Sequence, residues 1–182
     1  QRQMCIRDSL LVGDFLFVSK WDYGYSRYSF PFGLPPFKGK IFESNPERGD
    51  IIVFKLPGQE NINYVKRLVG LPGETIKVVN GKIYLKTQNA TDFEVLDQIE
   101  DGFFYDDQYG KEIQQLIENE YRILNITNDG PLDYTPEYEI PKDKFFFMGD
   151  NRDNSSDSRI LSGVGFVPKV NIAVSYTHLR AH

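Results

Sequence analysis

The residue with the clearest capacity for acid–base chemistry is Lys66, which lies within the largely apolar segment 64–76. If this segment begins with a strand, alternate residues from 64 to 68 share one face and those from 65 to 69 the other. An ammonium group that apolar neighbours desolvate has a lowered pKa. The neutral amine that results can act as a general base near pH 7. The alternative is a lysine that extends from an edge strand and keeps its amine in water.

The other side chains that commonly perform catalysis are scarce. The chain has one cysteine, Cys5, and two histidines, His178 and His182. One cysteine excludes an internal disulfide and a zinc site built from several thiolates. Histidines confined to the last five residues argue against a histidine triad or metal site in the body of the chain. Any acid–base chemistry must therefore rest on lysine and carboxylates.

Composition restricts the class of protein further. The 182 residues are enough for one substantial domain, or for a smaller domain with an insertion. A net charge of −5 argues against nucleic acid as a partner, since such proteins usually present a basic face. Aromatic residues form 14% of the chain, which favours a β-rich fold. No apolar run approaches the roughly 18 residues that a membrane helix needs.

Several strands are expected around Lys66. The apolar runs 51–55 and 145–148 read as buried strands, and 64–70 as the strand that carries the lysine. Asn80-Gly81 between two β-rich arms predicts a type I′ hairpin over 76–85. The apolar spacing within 111–124 predicts one short amphipathic helix.

Two other parts of the chain carry separate expectations. The aromatic loop 21–42 either contacts a membrane surface, where tyrosine and tryptophan prefer the headgroup level, or covers the core. Residues 1–9 and 174–182 lack a helix or strand period and resemble translated sequencing-adapter sequence. We expect both ends to be non-native tails and leave them out of the fold prediction.

Loop 149–159, Gly-Asp-Asn-Arg-Asp-Asn-Ser-Ser-Asp-Ser-Arg, has three interpretations. A calcium loop would need a glycine at its sixth position and a glutamate at its twelfth, and this loop has neither. It could also be an ordinary polar loop. Two arginines among three aspartates instead suggest a platform that ion pairs hold rigid and that positions a partner group, here Lys66.

Four segments together resemble the bacterial type I signal peptidases, which are Ser/Lys proteases. They are Gly13-Asp14, the segment 48–54, the segment 64–76 and the loop 149–159, in this order. The resemblance implies a membrane-associated serine endopeptidase that removes signal peptides from exported preproteins. It also implies the cytoplasmic membrane, with the catalytic domain on its outer face, and it implies no metal or organic cofactor.

The same resemblance assigns residues. Lys66 would be the general base, and Ser155 would orient its amine. Val65 and Leu10 would line small apolar pockets for the substrate. Four further residues would form structural ion pairs that hold the loop: Arg67, Asp150, Asp157 and Arg159.

The chain departs from the family at the nucleophile. In the family a serine stands in a Ser-Met-x-Pro segment before Leu-x-x-Gly-Asp. That position falls here on Cys5, and a preceding oxyanion-donating serine falls on Gln3. We do not assign the nucleophile to Cys5. We expect the native segment and the membrane helix to be missing from this fragment, and the fragment to be inactive.

The expected fold is mostly β, with an irregular, barrel-like antiparallel catalytic core formed by 10–77 and 143–173. A second β-rich domain, 78–142, is inserted into it. Two alternatives remain. One is a non-catalytic β-domain that binds calcium or a partner through 149–159, and the other is a self-cleaving Ser/Lys protease of the repressor type.

Overall fold

The computed structural model describes residues 46–106 and 110–176, and these residues form β-strands with almost no helix. In chain order the strands are β1 Ile51–Leu56, β2 Gln59–Gly70, β3 Thr75–Val79, β4 Lys82–Lys86, β5 Glu94–Val95, β6 Gln98–Asp106, β7 Lys111–Glu118, β8 Tyr121–Asn125, β9 Tyr138–Glu139, β10 Lys144–Met148, β11 Val167–Pro168 and β12 Ile172–Tyr176. A 3₁₀ turn, Lys169–Asn171, precedes β12. No helix within these ranges is long and apolar enough to cross a membrane.

The central sheet has five antiparallel strands in the order β11-β10-β2-β1-β12. The strands predicted at 51–55, 64–70 and 145–148 are all confirmed and lie next to one another in this sheet. β12 pairs with β1 through Tyr176, three residues beyond the predicted end of the core. Continuous apolar runs form these strands because both faces of the sheet are covered.

Strand β2 sends its side chains to two different cores, as the alternation predicted. Leu68 is fully buried in one cluster with Phe54 and Phe147, and Tyr64 packs against the same cluster. Val69 is fully buried in a second cluster on the other face. Lys66 therefore shares a face with Leu68 and Tyr64, while Arg67 points to the opposite side.

The predicted hairpin at Asn80-Gly81 is confirmed. β3 and β4 pair in register up to Val79 and Lys82, which leaves only these two residues in the turn. Asn80 and Gly81 have φ angles of 52° and 71°. Two successive positive φ angles are the signature of a type I′ turn, and asparagine and glycine are the residues that adopt them most readily. This hairpin belongs to a four-stranded sheet in the order β5-β4-β3-β9.

The helix predicted within 111–124 is wrong, because this segment forms the β7–β8 hairpin. β7 is the centre of a three-stranded sheet in the order β6-β7-β8. Glu118 pairs with Tyr121, and the turn between them places Asn119 at a φ of 57°. Ile113 and Leu116 have the spacing of a helix, but both side chains are buried on opposite faces of strand β7. Pairing of β7 with its two neighbouring strands therefore decided the structure, and the helical spacing of the apolar residues did not.

The mostly β, antiparallel fold class is confirmed. The three sheets of the described residues do not close into a barrel. The division into a discontinuous core, 10–77 and 143–173, and an insertion, 78–142, stays a prediction.

Candidate active site

Lys66 and Ser155 lie in contact although 89 positions separate them in the chain. The Lys66 amine donates a hydrogen bond to the Ser155 hydroxyl at 2.7 Å. β2 places the lysine, and the loop that follows β10 places the serine. The Lys66 amine also lies 5.7 Å from the centre of the Tyr64 ring. The structure therefore brings together the two residues that the sequence singled out as base and orienting group.

The environment of Lys66 favours its neutral form. Burial lowers the pKa of Lys66 below its ordinary value of 10.5 and is the largest influence on it. The Asp157 carboxylate opposes this shift, the Arg159 guanidinium supports it, and Asp150 opposes it. The net shift is downward because desolvation of the ammonium outweighs the two carboxylates. An amine of this kind is neutral, and so able to accept a proton, at a lower pH than the amine of an exposed lysine.

Gly149 permits the close approach of the lysine and the serine. A Cβ atom at this position would lie 2.1 Å from the Ser155 Oγ atom and 3.3 Å from the Lys66 Nζ atom. At the shorter of these distances the Ser155 side chain would have to move. A residue larger than glycine at the start of the loop would therefore disturb the Lys66–Ser155 contact.

Arg67 anchors the start of the loop to β2. Its Nε and Nη2 atoms donate to the two carboxylate oxygens of Asp150 at 2.8 and 2.7 Å, and both side chains are buried. A third guanidinium nitrogen donates to the carbonyl of Gly49, and the Tyr121 ring lies 4.1 Å away. A two-pronged pair of this kind fixes orientation as well as distance.

Asp157 and Arg159, two of the four residues expected in ion pairs, pair with each other and hold the end of the loop. Arg159 donates to the two Asp157 oxygens at 2.9 and 2.8 Å, and the Asp157 carboxylate is fully buried. The Gly149 N–H also donates to Asp157, and Arg159 donates to the carbonyl of Arg152. This pair therefore closes the loop onto its own first residues.

A third buried ion pair, Arg152–Glu118, was not predicted. Arg152 donates to Glu118 Oε1 at 2.8 Å and also to Glu118 Oε2. Burial opposes the ionisation of Glu118, but Arg152 and hydrogen bonds from Gln98 and Tyr121 outweigh it, so the pKa of Glu118 is lowered. The sequence offered no local signal for this pair, because Glu118 ends a segment, 111–118, that already contains charged and amide side chains.

Arg48 and Glu74 form another arrangement that sequence reasoning missed. Arg48 donates to Glu74 at 2.7 Å and to the carbonyl of Val69. The second oxygen of Glu74 accepts from the N–H of Leu71 at 2.8 Å. This arrangement holds the turn after β2.

Of the remaining predicted site residues, the structure describes only Val65. Val65 lies beside Lys66 on β2, is half-buried and pairs with Val53. Leu10, Cys5 and the aromatic loop 21–42 lie outside the described residues, as do residues 1–9 and the end of the chain after Tyr176.

One edge of β2 next to Lys66 carries no partner among the described strands. β10 pairs with β2 only from Arg67 to Gly70. Among the strands that the structure describes, the 59–66 part of β2 pairs only with β1, on its other side. An open strand edge can accept an extended peptide as an additional strand.

The loop shows no cation site. The described ranges contain no group of three His, Cys, Asp or Glu side chains that could hold a metal ion. Asp150 and Asp157 both face guanidinium groups, and Asp153 accepts from the N–H groups of Ile126 and Thr127. These contacts argue against the calcium-binding interpretation of loop 149–159.

Comparison with known proteins identifies the family of this chain. A family model described as "Signal peptidase, peptidase S26" matches residues 3–177. Proteins named signal peptidase I from Rickettsia akari (strain Hartford) and Rickettsia prowazekii (strain Madrid E) are each 37% identical over 177 residues, which is 91% of this chain. The chain spans 64% of the length of these relatives. A crystal structure of a signal peptidase I from Enterococcus faecalis V583 is 26% identical, with a TM-score of 0.46, and covers 74% of this chain and 98% of its own.

Proposed function

Because the chain belongs to the signal peptidase family S26, we propose that its parent protein is a serine endopeptidase that removes signal peptides from exported proteins. The observation that supports this most strongly is the hydrogen bond between the half-buried Lys66 amine and Ser155. Family membership supports the reaction class, and this contact supports a lysine as the base.

In the proposed reaction the neutral Lys66 amine takes the proton from a serine hydroxyl as its oxygen attacks the scissile carbonyl. The resulting lysine ammonium then gives this proton to the leaving amine, and an acyl-enzyme remains. In the second half of the reaction Lys66 accepts a proton from a water molecule as its oxygen attacks the acyl-enzyme. Lys66 then returns this proton to the serine oxygen, and the carboxylate product is released. Ser155 is only 8% exposed, so it is suited to orienting the amine and poorly placed to attack a substrate itself.

The substrate would bind as an extended strand along the edge of β2 that no described strand covers. This edge runs past Val65 and Lys66, so a peptide there has its scissile bond near the base. Val65, together with Leu10, would contribute to shallow apolar pockets that accept small side chains such as alanine.

We propose that the parent protein acts at the outer face of the cytoplasmic membrane, where signal peptides emerge. The aromatic loop 21–42 would contact the lipid surface, since its tyrosines and single tryptophan suit the headgroup region. The core 10–77 and 143–173 would carry catalysis, and 78–142 would be an insertion.

We also propose that the chain as written is inactive, because position 5 holds Cys5 in a segment that lacks the family's pattern. The test uses a peptide with an Ala-x-Ala cleavage site. The repaired chain, joined to an amino-terminal membrane helix, carries these substitutions: Gln3→Ser, Met4→Gly, Cys5→Ser, Ile6→Met, Arg7→Lys, Asp8→Pro and Ser9→Thr.

The repaired chain should cut the peptide, and Lys66→Met in it should abolish cleavage without unfolding the protein. Ser155→Ala should slow cleavage about 10- to 1,000-fold, since it removes orientation of the base and leaves the base itself. If the unrepaired chain already cuts, and Cys5→Ala stops it, the proposal of inactivity is wrong. If the repaired Lys66→Met variant cuts normally, the proposed base is wrong. Specific calcium binding in equilibrium dialysis would favour the non-catalytic alternative.

A further inference from the structure

The loop that carries Ser155 is attached to the three-stranded sheet as well as to β2. The backbone N–H of Leu124 in β8 donates to the carbonyl of Asp150 at 2.8 Å, and the N–H of Arg152 donates to the carbonyl of Leu124 at 3.0 Å. Leu124 and Asn151 thus form a parallel bridge that continues the sheet into the loop. Asp153 accepts a further hydrogen bond from the N–H of Ile126 at 2.7 Å.

At the centre of this attachment is the Glu118–Arg152 pair. Glu118 at the end of β7 is fully buried and Arg152 is 4% exposed. Gln98 on β6 donates to Glu118 at 2.8 Å, and Tyr121 on β8 donates to it at 2.9 Å. All three strands of the sheet therefore hold the carboxylate that receives Arg152.

Arg152 connects the three-stranded sheet to the rest of the loop. Its Nε atom donates to the carbonyl of Gly149 at 3.2 Å, and its own carbonyl accepts from Arg159. Gly149 is the residue on which the Ser155 hydroxyl packs, and Arg159 is the partner of Asp157. A displacement of Arg152 would therefore move Gly149 and the Asp157–Arg159 pair, which both border the Lys66–Ser155 contact.

We propose that Glu118 and Arg152 are positioning residues, through which the three-stranded sheet sets the placement of Ser155 against the Lys66 amine. This inference rests on the proposed role of Lys66 as base. It assigns the β6-β7-β8 sheet the task of holding the base in its desolvated, oriented state.

The decisive variant is Glu118→Gln, which keeps the shape of the side chain and removes its charge. Two readouts apply to the chain as written and need no nucleophile. The first is the pKa of the Lys66 amine, from pH-dependent labelling with an amine reagent and mass spectrometry, with the exposed Lys82 as internal reference. The second is amide hydrogen exchange over 149–159.

The direction in which the pKa of Lys66 changes in Glu118→Gln distinguishes a positioning role from a purely electrostatic one. Loss of a nearby negative charge, and an unpaired Arg152 cation, would each disfavour the Lys66 ammonium and lower its pKa. A loosened loop would admit water to the amine and raise its pKa towards the ordinary value. We expect the pKa of Lys66 to rise and exchange over 149–159 to quicken about tenfold or more, because a buried charged hydrogen bond is lost.

The matched control is Asp101→Asn, which breaks the Arg122–Asp101 pair. That pair has an N–O distance of 2.6 Å and joins β6 to β8, but its side chains are 30% and 26% exposed. Neither readout should change in this variant. If Glu118→Gln does not fold, Tyr121→Phe decides, since it removes a single hydrogen bond to Glu118 and should give smaller changes in the same directions.

A Lys66 pKa that stays constant or falls in the folded Glu118→Gln variant overturns the proposal, even if exchange quickens. If Glu118→Gln is unfolded, a Lys66 pKa that stays constant or falls in Tyr121→Phe overturns the proposal. An ordinary Lys66 pKa in the unchanged chain would instead contradict the proposed function. The two failures are therefore distinguishable.

Discussion

At the scale of single residues, the site depends on a lysine held where its charge is unfavourable. Lys66 shares a face of β2 with buried apolar residues, and its amine is directed to a neutral hydroxyl instead of a carboxylate. The carboxylates of Asp157 and Asp150 reduce the effect of desolvation without reversing it. The arrangement suits a base and reduces the stability of the fold.

Replacing the base should therefore stabilise the protein. Lys66→Met near neutral pH should raise the free energy of unfolding by about 1 kcal/mol, because it fills the same space without a charge to desolvate. The folded pKa of Lys66 is below 10.5, so the unfolded chain binds more protons between the two values and wild-type stability rises with pH there. The gain from Lys66→Met should shrink as pH approaches 10.5. Urea unfolding near neutrality and near pH 10.5 measures this, and a gain that grows with pH would contradict it.

Gly149 provides a second test at this scale. Gly149→Ala places a Cβ atom 2.1 Å from the Ser155 Oγ atom and 2.6 Å from its Cβ, so the loop must move. We expect a loss of about 1–3 kcal/mol in the free energy of unfolding, as for other overpacked sites, and a rise in the pKa of Lys66. Gly163→Ala is the control, since its nearest contact is the Ile160 side chain at 3.3 Å. Equal effects in the two variants would show that the close approach at Gly149 is unimportant.

At the scale of elements, buried ion pairs connect strands to the loop. Arg67–Asp150 joins β2 to the loop's beginning, and Arg152–Glu118 joins β7 to its middle. Such pairs add little net stability compared with apolar residues, but breaking one leaves a buried charge without its partner. Their contribution here is to fix the geometry of a loop that has no regular secondary structure.

The Arg67–Asp150 pair should show this asymmetry. Arg67→Met alone should cost about 3–5 kcal/mol of unfolding free energy, because Asp150 stays buried without its guanidinium. Adding Asp150→Leu should recover a large part of the loss. The exposed pair Lys77–Glu137 is the control, and Lys77→Met should change stability by about 0–1 kcal/mol. Strictly additive effects of the two substitutions in a double-mutant cycle would contradict the prediction.

At the scale of the whole molecule, the central sheet and the three-stranded sheet meet at the loop 149–159. β2 and β10 supply the lysine and the entry to the loop, and β8 pairs with the loop's backbone. The site is therefore assembled from chain segments far apart in sequence, and its integrity depends on both sheets.

This arrangement predicts a specific sensitivity to acid. The pKa of Glu118 is lowered in the folded protein, so its ionised form contributes stability that is present above its ordinary value of 4.5. This contribution is lost as pH falls through the folded pKa. Glu118→Gln should make unfolding free energy depend less steeply on pH below 4.5, and denaturant unfolding on either side of that value checks it. An unchanged slope would show that Glu118 is not linked to folding in this way.

The sequence by itself determined the strands whose local signals agree with their surroundings. Apolar runs at 51–55 and 145–148 could only be buried, and Asn80-Gly81 could adopt the two positive φ angles of its turn. The four segments Gly13-Asp14, 48–54, 64–76 and 149–159, in this order, were sufficient together to indicate the family and to predict that the loop lies beside Lys66. These features are local or depend on a few residues in fixed order.

Only the tertiary structure decided what depends on partners far along the chain. Segment 111–118 has helical spacing, yet it is a strand because β6 and β8 pair with it on both sides. Glu118 and Arg152 lie 34 positions apart and in different elements, so no local pattern links them. The sequence could place a lysine in an apolar strand, but burial and the positions of the charged groups of Asp157, Arg159 and Asp150 set the pKa of its amine. Both are properties of packing, which the order of residues along one strand does not specify.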